Sequence, residues 1–522
     1  MKFSLFPLLL VSITTFGQAP SDTLNLFGFQ ELVFHSDFER ASLNCYNSGG
    51  NCDYFFIAMA TDPNITKAEA EKHKAGFFHF LDGLKADRRF SRNQKTQVKH
   101  IFNSIHDQYF KLYHENPLFS EIFTNGNFNC LTASALFAMA FDHYGIPYEI
   151  ILLPEHVYLL AYPSESSIVV ETTNPLRGAR FTIDSREKAK AVQSLLDLKI
   201  VSQEEVNQKG VDRVFNETYL SKETPDLKRM MGALYYNLAA LETEKLRFKL
   251  GYELYKKSSV IFSRRVTTAL LINHSTLFVA QNDFENPETY RVLAEMEKFI
   301  NYGIPRNALV EQSIIFINSL QNAGKLNLAD SAFVWLMNGF TDEEIKNELN
   351  FANHYNKALI FLKSYRYDDA LSSIETAYLL KPEDIDTSFM LMELIMQKIR
   401  STRTVAEGYE IMKSMSDRIE PLNQNKQFMG FFQFVYLELV NHYVMNRSFD
   451  LAEEFRAEFE ERFQPGSIES AETIQYLEQV YSRASIIYYR ERRRTLARNL
   501  LNSGLEYVPD SFELQSKLNA LR

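Results

Sequence analysis

Ala358, Ala370, Ile374, Ala377 and Pro382 follow one another at spacings of 12, 4, 3 and 5 residues. Small side chains at such intervals let two helices approach closely, and a proline just beyond the last of them ends the second helix. The end of the chain repeats part of the pattern, with Ala497, Leu501, Gly504 and Pro509 spaced 4, 3 and 5. Weaker copies surround residues 239–258, 329–336 and 452–465. A helix pair of this kind cannot bury its apolar face alone, so successive pairs must stack. Residues 185–522 are therefore expected to form an all-α solenoid of roughly five to seven helix pairs. The long curved surface of such an array suits a protein or peptide partner. The run Arg492, Arg493 and Arg494 could meet an acidic partner there, or could be one solvated helix face.

The rest of the 522 residues read differently. Lys2, the largely apolar run from Phe3 to Thr15 and the small residues near Ala19 predict a secretory signal over residues 1–19. The alternative is a cytosolic chain with an apolar N-terminus. No later segment approaches the about 18 uninterrupted apolar residues of a membrane span. The mature protein is expected to be exported, periplasmic or secreted. A formal net charge of −10 argues against nucleic acid as partner, because binding phosphate needs a positive field.

Export sets how the three cysteines are read. Cys45 and Cys52 flank a loop rich in Gly and Asn that can close into a disulfide, which leaves Cys130 as the odd thiol. The alternative is three reduced cysteines, with Cys130 a small buried apolar residue. The sequence from Leu131 to His143 has no Gly or Pro and is apolar nearly all round, so it predicts a buried helix that Gly145 and Pro147 stop. Cys130 then sits in the first turn, where free backbone amides and the positive end of the dipole favour a thiolate and could hold an oxyanion. Asn129 and Asn127 are candidate side-chain donors to that oxyanion.

Three short strands are expected next, 148–153, 157–162 and 168–172, the last two joined by a polar loop. A turn centred between Ser164 and Glu165 sets paired positions to a constant sum of 329, which puts His156 opposite Thr173 with Glu171 its diagonal neighbour. Alternation turns the rival carboxylate of Glu155 away. Cys130 as nucleophile, His156 as general base and then acid, and Glu171 orienting the imidazole make a Cys-His-Glu triad for acyl chemistry.

The runs Asn129-Cys130-Leu131-Thr132-Ala133-Ser134, Gly145-Ile146-Pro147, Pro154-Glu155-His156-Val157-Tyr158 and Val170-Glu171-Thr172-Thr173-Asn174-Pro175, in that order, resemble the core of the bacterial transglutaminase-like superfamily. The resemblance covers about residues 85–180. It implies a papain-like α+β fold, Cys130 and His156 as the catalytic pair, and Glu171 where the family more often has aspartate. Residues 20–184 are accordingly expected to be a transglutaminase-like domain with N-terminal helical support, and 185–522 resemble tetratricopeptide repeats. The family includes amide crosslinkers, peptidases, amidases and inactive binding relatives. The second reading is accordingly a catalytically silent scaffold in an envelope protein complex. No cofactor is implied. His100, His106 and His114 do not share a helix face and no HExxH occurs, so no metal site is expected.

Overall fold

Helix carries most of the architecture. The structure is a computed structural model and describes residues 26–521 apart from 91, 153–156, 174–178, 181–184, 198–200, 220–226, 264 and 282. The expected signal segment 1–19 and His156 lie outside the described residues. Two compact units are present, Met1–Ile304 and Pro305–Arg522.

In the first unit the elements that matter for the site are α1 (Gln94–Tyr109), β1 (Leu112–Tyr113), β2 (Asn127–Phe128), α2 (Cys130–Tyr144), β3 (Tyr148–Leu152), β4 (Val157–Ala161), β5 (Ile168–Val170), β6 (Ala179–Arg180), α3 (Leu227–Glu244) and α4 (Phe248–Ile261). Strands β1 and β2 pair in parallel, while β3 to β6 form an antiparallel meander in chain order. Among the described residues these two small sheets hold all the strand. The expectation of an α+β papain-like domain is therefore corrected: the protein is mostly all-α. The reason lies in the ladders, which pair five positions between β3 and β4, three between β4 and β5 and two between β5 and β6. A sheet this small covers one side of α2, and the helix α3 packs on α2 as well. Phe102 of α1 stacks on Phe137 of α2 at 5.4 Å between ring centroids. Enclosed in this way, α2 is buried from Leu131 to Phe141, as its all-round apolar sequence requires.

In the second unit the helices α5 (Arg306–Asn322), α6 (Leu326–Gly339), α7 (Glu343–Lys363), α8 (Tyr367–Leu380), α9 (Ile385–Arg400), α10 (Val405–Arg418), α11 (Lys426–Met445), α12 (Phe449–Arg462), α13 (Ala471–Arg490) and α14 (Arg494–Tyr507) follow as pairs, and Phe512–Ala520 is the last helix. Ala358, Ala370, Ile374 and Ala377 are fully buried where α7 meets α8, and Ala497 and Leu501 are fully buried on α14. No helix among the described residues is long and apolar enough to cross a membrane.

One turn recurs in the hairpins α3/α4, α5/α6, α7/α8, α11/α12 and α13/α14. A single left-handed residue reverses the chain: Leu246 (φ 58°), Gly324 (φ 76°), Tyr365 (φ 58°), Arg447 (φ 60°) and Arg492 (φ 61°). The next N–H closes back on the preceding helix in every case, from Arg247 to Glu242, Lys325 to Leu320, Arg366 to Phe361, Ser448 to Tyr443 and Arg493 to Tyr488, each at 2.9 Å. This is the Schellman closure of a helix end. The arginine run is thus a turn: Arg493 stacks over Phe449 at 4.7 Å and Arg494 over Tyr489 at 5.5 Å.

Gly504 of α14 tests how tight the pairs are. A Cβ there would meet Tyr481 Cδ2 at 2.9 Å and Leu514 Cδ1 at 3.0 Å, whereas one on Gly430 in α11 meets nothing within 4 Å. Gly504→Ala is expected to destabilise the protein by about 1–3 kcal/mol through overpacking. Gly430→Ala is expected to stabilise it by about 0.5–1 kcal/mol through helix propensity. Urea denaturation of the two variants checks both signs.

Candidate functional site

The site is built on the N-terminus of α2. Asn129 caps it in an extended conformation: its Oδ1 accepts from Thr132 N–H at 2.9 Å, and Thr132 Oγ1 accepts from Asn129 N–H at 3.0 Å. This reciprocal box fixes Cys130 as the first helical residue. Gly145, at φ 67°, ends the helix, with Ile146 N–H bonded to Phe141 O at 2.9 Å. Cys130 is a free, half-buried thiol, and Cys45 is joined to Cys52 in a disulfide with 5.2 Å between Cα atoms. Helix geometry leaves the N–H groups of Cys130 and Leu131 without intrahelical acceptors.

The strands approach this turn through a buried polar relay. Thr172 Oγ1 lies 3.1 Å from Ser134 Oγ and 3.5 Å from Cys130 O, and Ser134 Oγ donates to Val157 O at 3.3 Å. The register between β4 and β5 is the one the sequence predicts: Leu159 pairs with Val170, Leu160 with Val169 and Ala161 with Ile168, each summing to 329. The residue next to His156, Val157, and the residue next to Glu171, Thr172, are therefore both tied to the helix that begins at Cys130. His156 and Glu155 lie outside the described residues. Glu171 is half-buried, and its Oε1 accepts from Thr173 Oγ1 at 3.0 Å. Continuing the alternation of β5, Glu171 belongs to the face of Val169, and Thr172 to the face turned toward α2.

The two asparagines proposed as oxyanion donors serve as braces. Asn129 Nδ2 donates to Glu115 O at 3.1 Å, and Asn127 Nδ2 donates to Glu121 Oε2 at 2.8 Å. Sequence reasoning missed Tyr113. Pairing of β1 with β2 aligns Tyr113 with Phe128, two residues before Cys130. Its phenol pKa is pushed up, chiefly by burial and then by negative charge on Cys130 and Glu115, which marks phenol and thiol as neighbours. The signal was a parallel pairing across 15 residues of chain, which no local pattern carries.

The three histidines weighed for metal face different partners. His100 Nδ1 is 3.4 Å from Ser104 Oγ, His114 Nδ1 accepts from Asn116 N–H at 3.3 Å, and His106 Nε2 is 2.9 Å from Thr172 O. Among the described residues no group of three His, Cys, Asp or Glu side chains could hold a metal ion. His106 belongs to the relay instead, since a carbonyl only accepts and Nε2 must carry the hydrogen. It is buried among Phe102, Phe110 and Phe128.

No family model matches the chain, and a search of curated proteins finds no match.

Burial is the largest influence on His106 and lowers its pKa, against opposing effects of the Thr172 carbonyl and Asp107. The folded protein therefore holds it neutral where the unfolded chain, with an imidazole pKa of about 6.5, takes up a proton. Its contribution to stability is intact above about pH 6.5 and is lost as pH falls below that value toward the folded pKa. His106→Gln keeps an N–H donor and cannot titrate. Between about pH 7.5 and pH 5.5, wild type is expected to lose more stability than His106→Gln, measured by urea midpoints at each pH.

Proposed function

We propose that the protein is an exported, cysteine-dependent acyl-transfer or amide-hydrolysing enzyme of transglutaminase-like chemistry, whose helix pairs offer a surface for a protein or peptide. The observation that carries this reading is a free, half-buried Cys130 in the first turn of a capped helix. The residues after His156 and Glu171 in sequence are bonded to that same helix. A disulfide between Cys45 and Cys52 supports an oxidising, extracytoplasmic location.

In this reading His156 takes the thiol proton and Cys130 Sγ attacks an amide carbonyl. The negative oxygen is held by the N–H groups of Cys130 and Leu131. Collapse of the tetrahedral adduct breaks the C–N bond, and the imidazolium returns its proton to the departing amine. Water or a second amine then attacks the thioester, which frees Cys130. Glu171 orients the imidazole. The reading rests on this local unit and needs no papain-like fold around it.

A catalytically silent scaffold is the second reading. It is favoured by Thr172, and not Glu171, being the residue turned toward α2, and by the engagement of the Glu171 carboxylate with Thr173.

Alkylation of Cys130 against pH separates the two, with Cys45 and Cys52 tracked by mass spectrometry. The enzyme reading expects a reactive plateau extending well below the free-thiol pKa of about 8.5, lost in His156→Ala. Slow alkylation with ordinary thiol dependence, unchanged by that substitution, supports the scaffold.

A further inference from the structure

Strand β1 is locked to the stretch of chain that leads into Cys130. Gly126 O accepts from Lys111 N–H at 2.9 Å and from Leu112 N–H at 3.3 Å, Phe128 O accepts from His114 N–H at 2.9 Å, and Glu115 O accepts from Asn129 Nδ2 at 3.1 Å. Gly126, at φ 84°, permits this approach: a Cβ there would stand 2.7 Å from Lys111 Cγ. Tyr113 is thereby paired with Phe128, and the two rings meet edge to face at 6.0 Å. Asn129 is extended, so Phe128 and Cys130 send their side chains to one side of the chain and Asn129 to the other. Cys130 is then the diagonal neighbour of Tyr113, about 8 Å away at the backbone, a gap that a tyrosine side chain spans. Tyr113 is 54% exposed and Cys130 is half-buried, so solvent reaches both residues.

From this juxtaposition we propose that the Tyr113 hydroxyl is a catalytic hydrogen-bond donor to the oxyanion of the adduct formed at Cys130. The inference rests on the cysteine reading above and adds to it the side-chain donor for which Asn129 and Asn127 were the candidates, both of which brace the loop instead. The oxygen of the adduct takes a full negative charge and is a better acceptor than sulfur, so a fixed hydroxyl beside it favours the tetrahedral state over the bound carbonyl. The phenol has a hydrogen to donate throughout: burial, and then negative charge on Cys130 and Glu115, raise its pKa, so it stays protonated when the thiolate forms. The donor transfers no proton; its hydrogen bond strengthens as the C–S bond forms and weakens as the C=O bond returns.

The test compares two reagents at Cys130 of the full-length protein. With p-nitrophenyl acetate, Sγ attacks the carbonyl carbon, the C–S bond forms as an electron pair of the C=O bond moves to oxygen, and the return of that pair expels p-nitrophenolate and leaves an S-acetyl cysteine. With iodoacetamide, Sγ displaces iodide from a methylene carbon and no oxyanion forms. Mass spectrometry locates each group on Cys130. Tyr113→Phe is expected to slow acetylation about 10-fold or more, while alkylation and its pH profile are unmoved. Leu112→Ala, at the exposed neighbouring position of β1, is expected to change neither rate. Equal acetylation in wild type and Tyr113→Phe, an equal loss from both reactions, or the same selective loss in Leu112→Ala overturns the donor and leaves the cysteine reading standing. A wild-type thiol slow toward both reagents, with ordinary pH dependence, overturns both.

Discussion

Reversal of the chain between paired helices is the constraint on which the stacked pairs depend. A helix pair closes only if the chain reverses within a few residues while the carbonyls at the end of the first helix find donors. The Schellman closure does both at Leu246, Gly324, Tyr365, Arg447 and Arg492. Four of these five are not glycine, and a side chain in that conformation costs on the order of 1–2 kcal/mol. The cost is tolerated because closing the hairpin buries both helix faces. Fully buried side chains such as Ile374, Leu501 and Leu336 each contribute about 1.5–3 kcal/mol. Packing thus dictates the turn, and not the reverse.

That order explains what could be read from the chain. The small residues at Ala358, Ala370, Ala377 and Ala497 were legible because close approach admits few alternatives, and each is fully buried. The turn positions were not legible, because Leu246, Tyr365 and the arginines carry no local preference for a left-handed backbone. Gly324 and Tyr365 are 41 residues apart and Tyr365 and Arg447 are 82 apart, a longer period than the 34 residues of a tetratricopeptide unit. The start of α2 was legible from the apolar run that begins at Leu131 and its stop from Gly145 and Pro147, since helix breaks are local chemistry. The β4/β5 register was legible for the same reason, from the loop alone. The fold class was misread because strand patterns reveal that strands exist and not what share of a core they supply. Here helices such as α3, distant in sequence, pack on α2 and leave the sheet a minor cover.

Buried charge was the least legible feature. Lys256 and Lys257 are adjacent and both buried, where composition would place them on the surface. One helix step of about 100° sends them to different partners. Lys257 pairs with Glu39 at 2.7 Å, and Tyr235 also donates to that carboxylate at 3.1 Å. Lys256 pairs with Glu295 at 3.0 Å, and Arg291 joins Glu253 at 2.5 Å in the same group. Each charge is costly to bury alone, and the pairs add little net stability beyond an apolar packing of equal volume. Their effect is selection: Glu39 lies 218 residues before Lys257, and a slip of either segment strands a charge.

The same reasoning bears on Cys130. The polar groups that hold its turn against the strands are the hydroxyls of Thr172 and Ser134 and the carbonyl of Val157, with the His106 imidazole held neutral by burial. None of them carries positive charge. Tyr113 keeps its proton, since burial and then the neighbouring negative charges raise its phenol pKa, and it brings no positive charge either. Compensation for a thiolate at this position therefore falls to the amide ends of α2 and to an imidazole at position 156. On the proposed mechanism that makes reactivity unusually dependent on a single residue. A neutral relay stabilises no thiolate by itself, so a thiol activated at neutral pH would owe its ionisation to His156, and a thiol left with helix amides alone would behave as a structural cysteine.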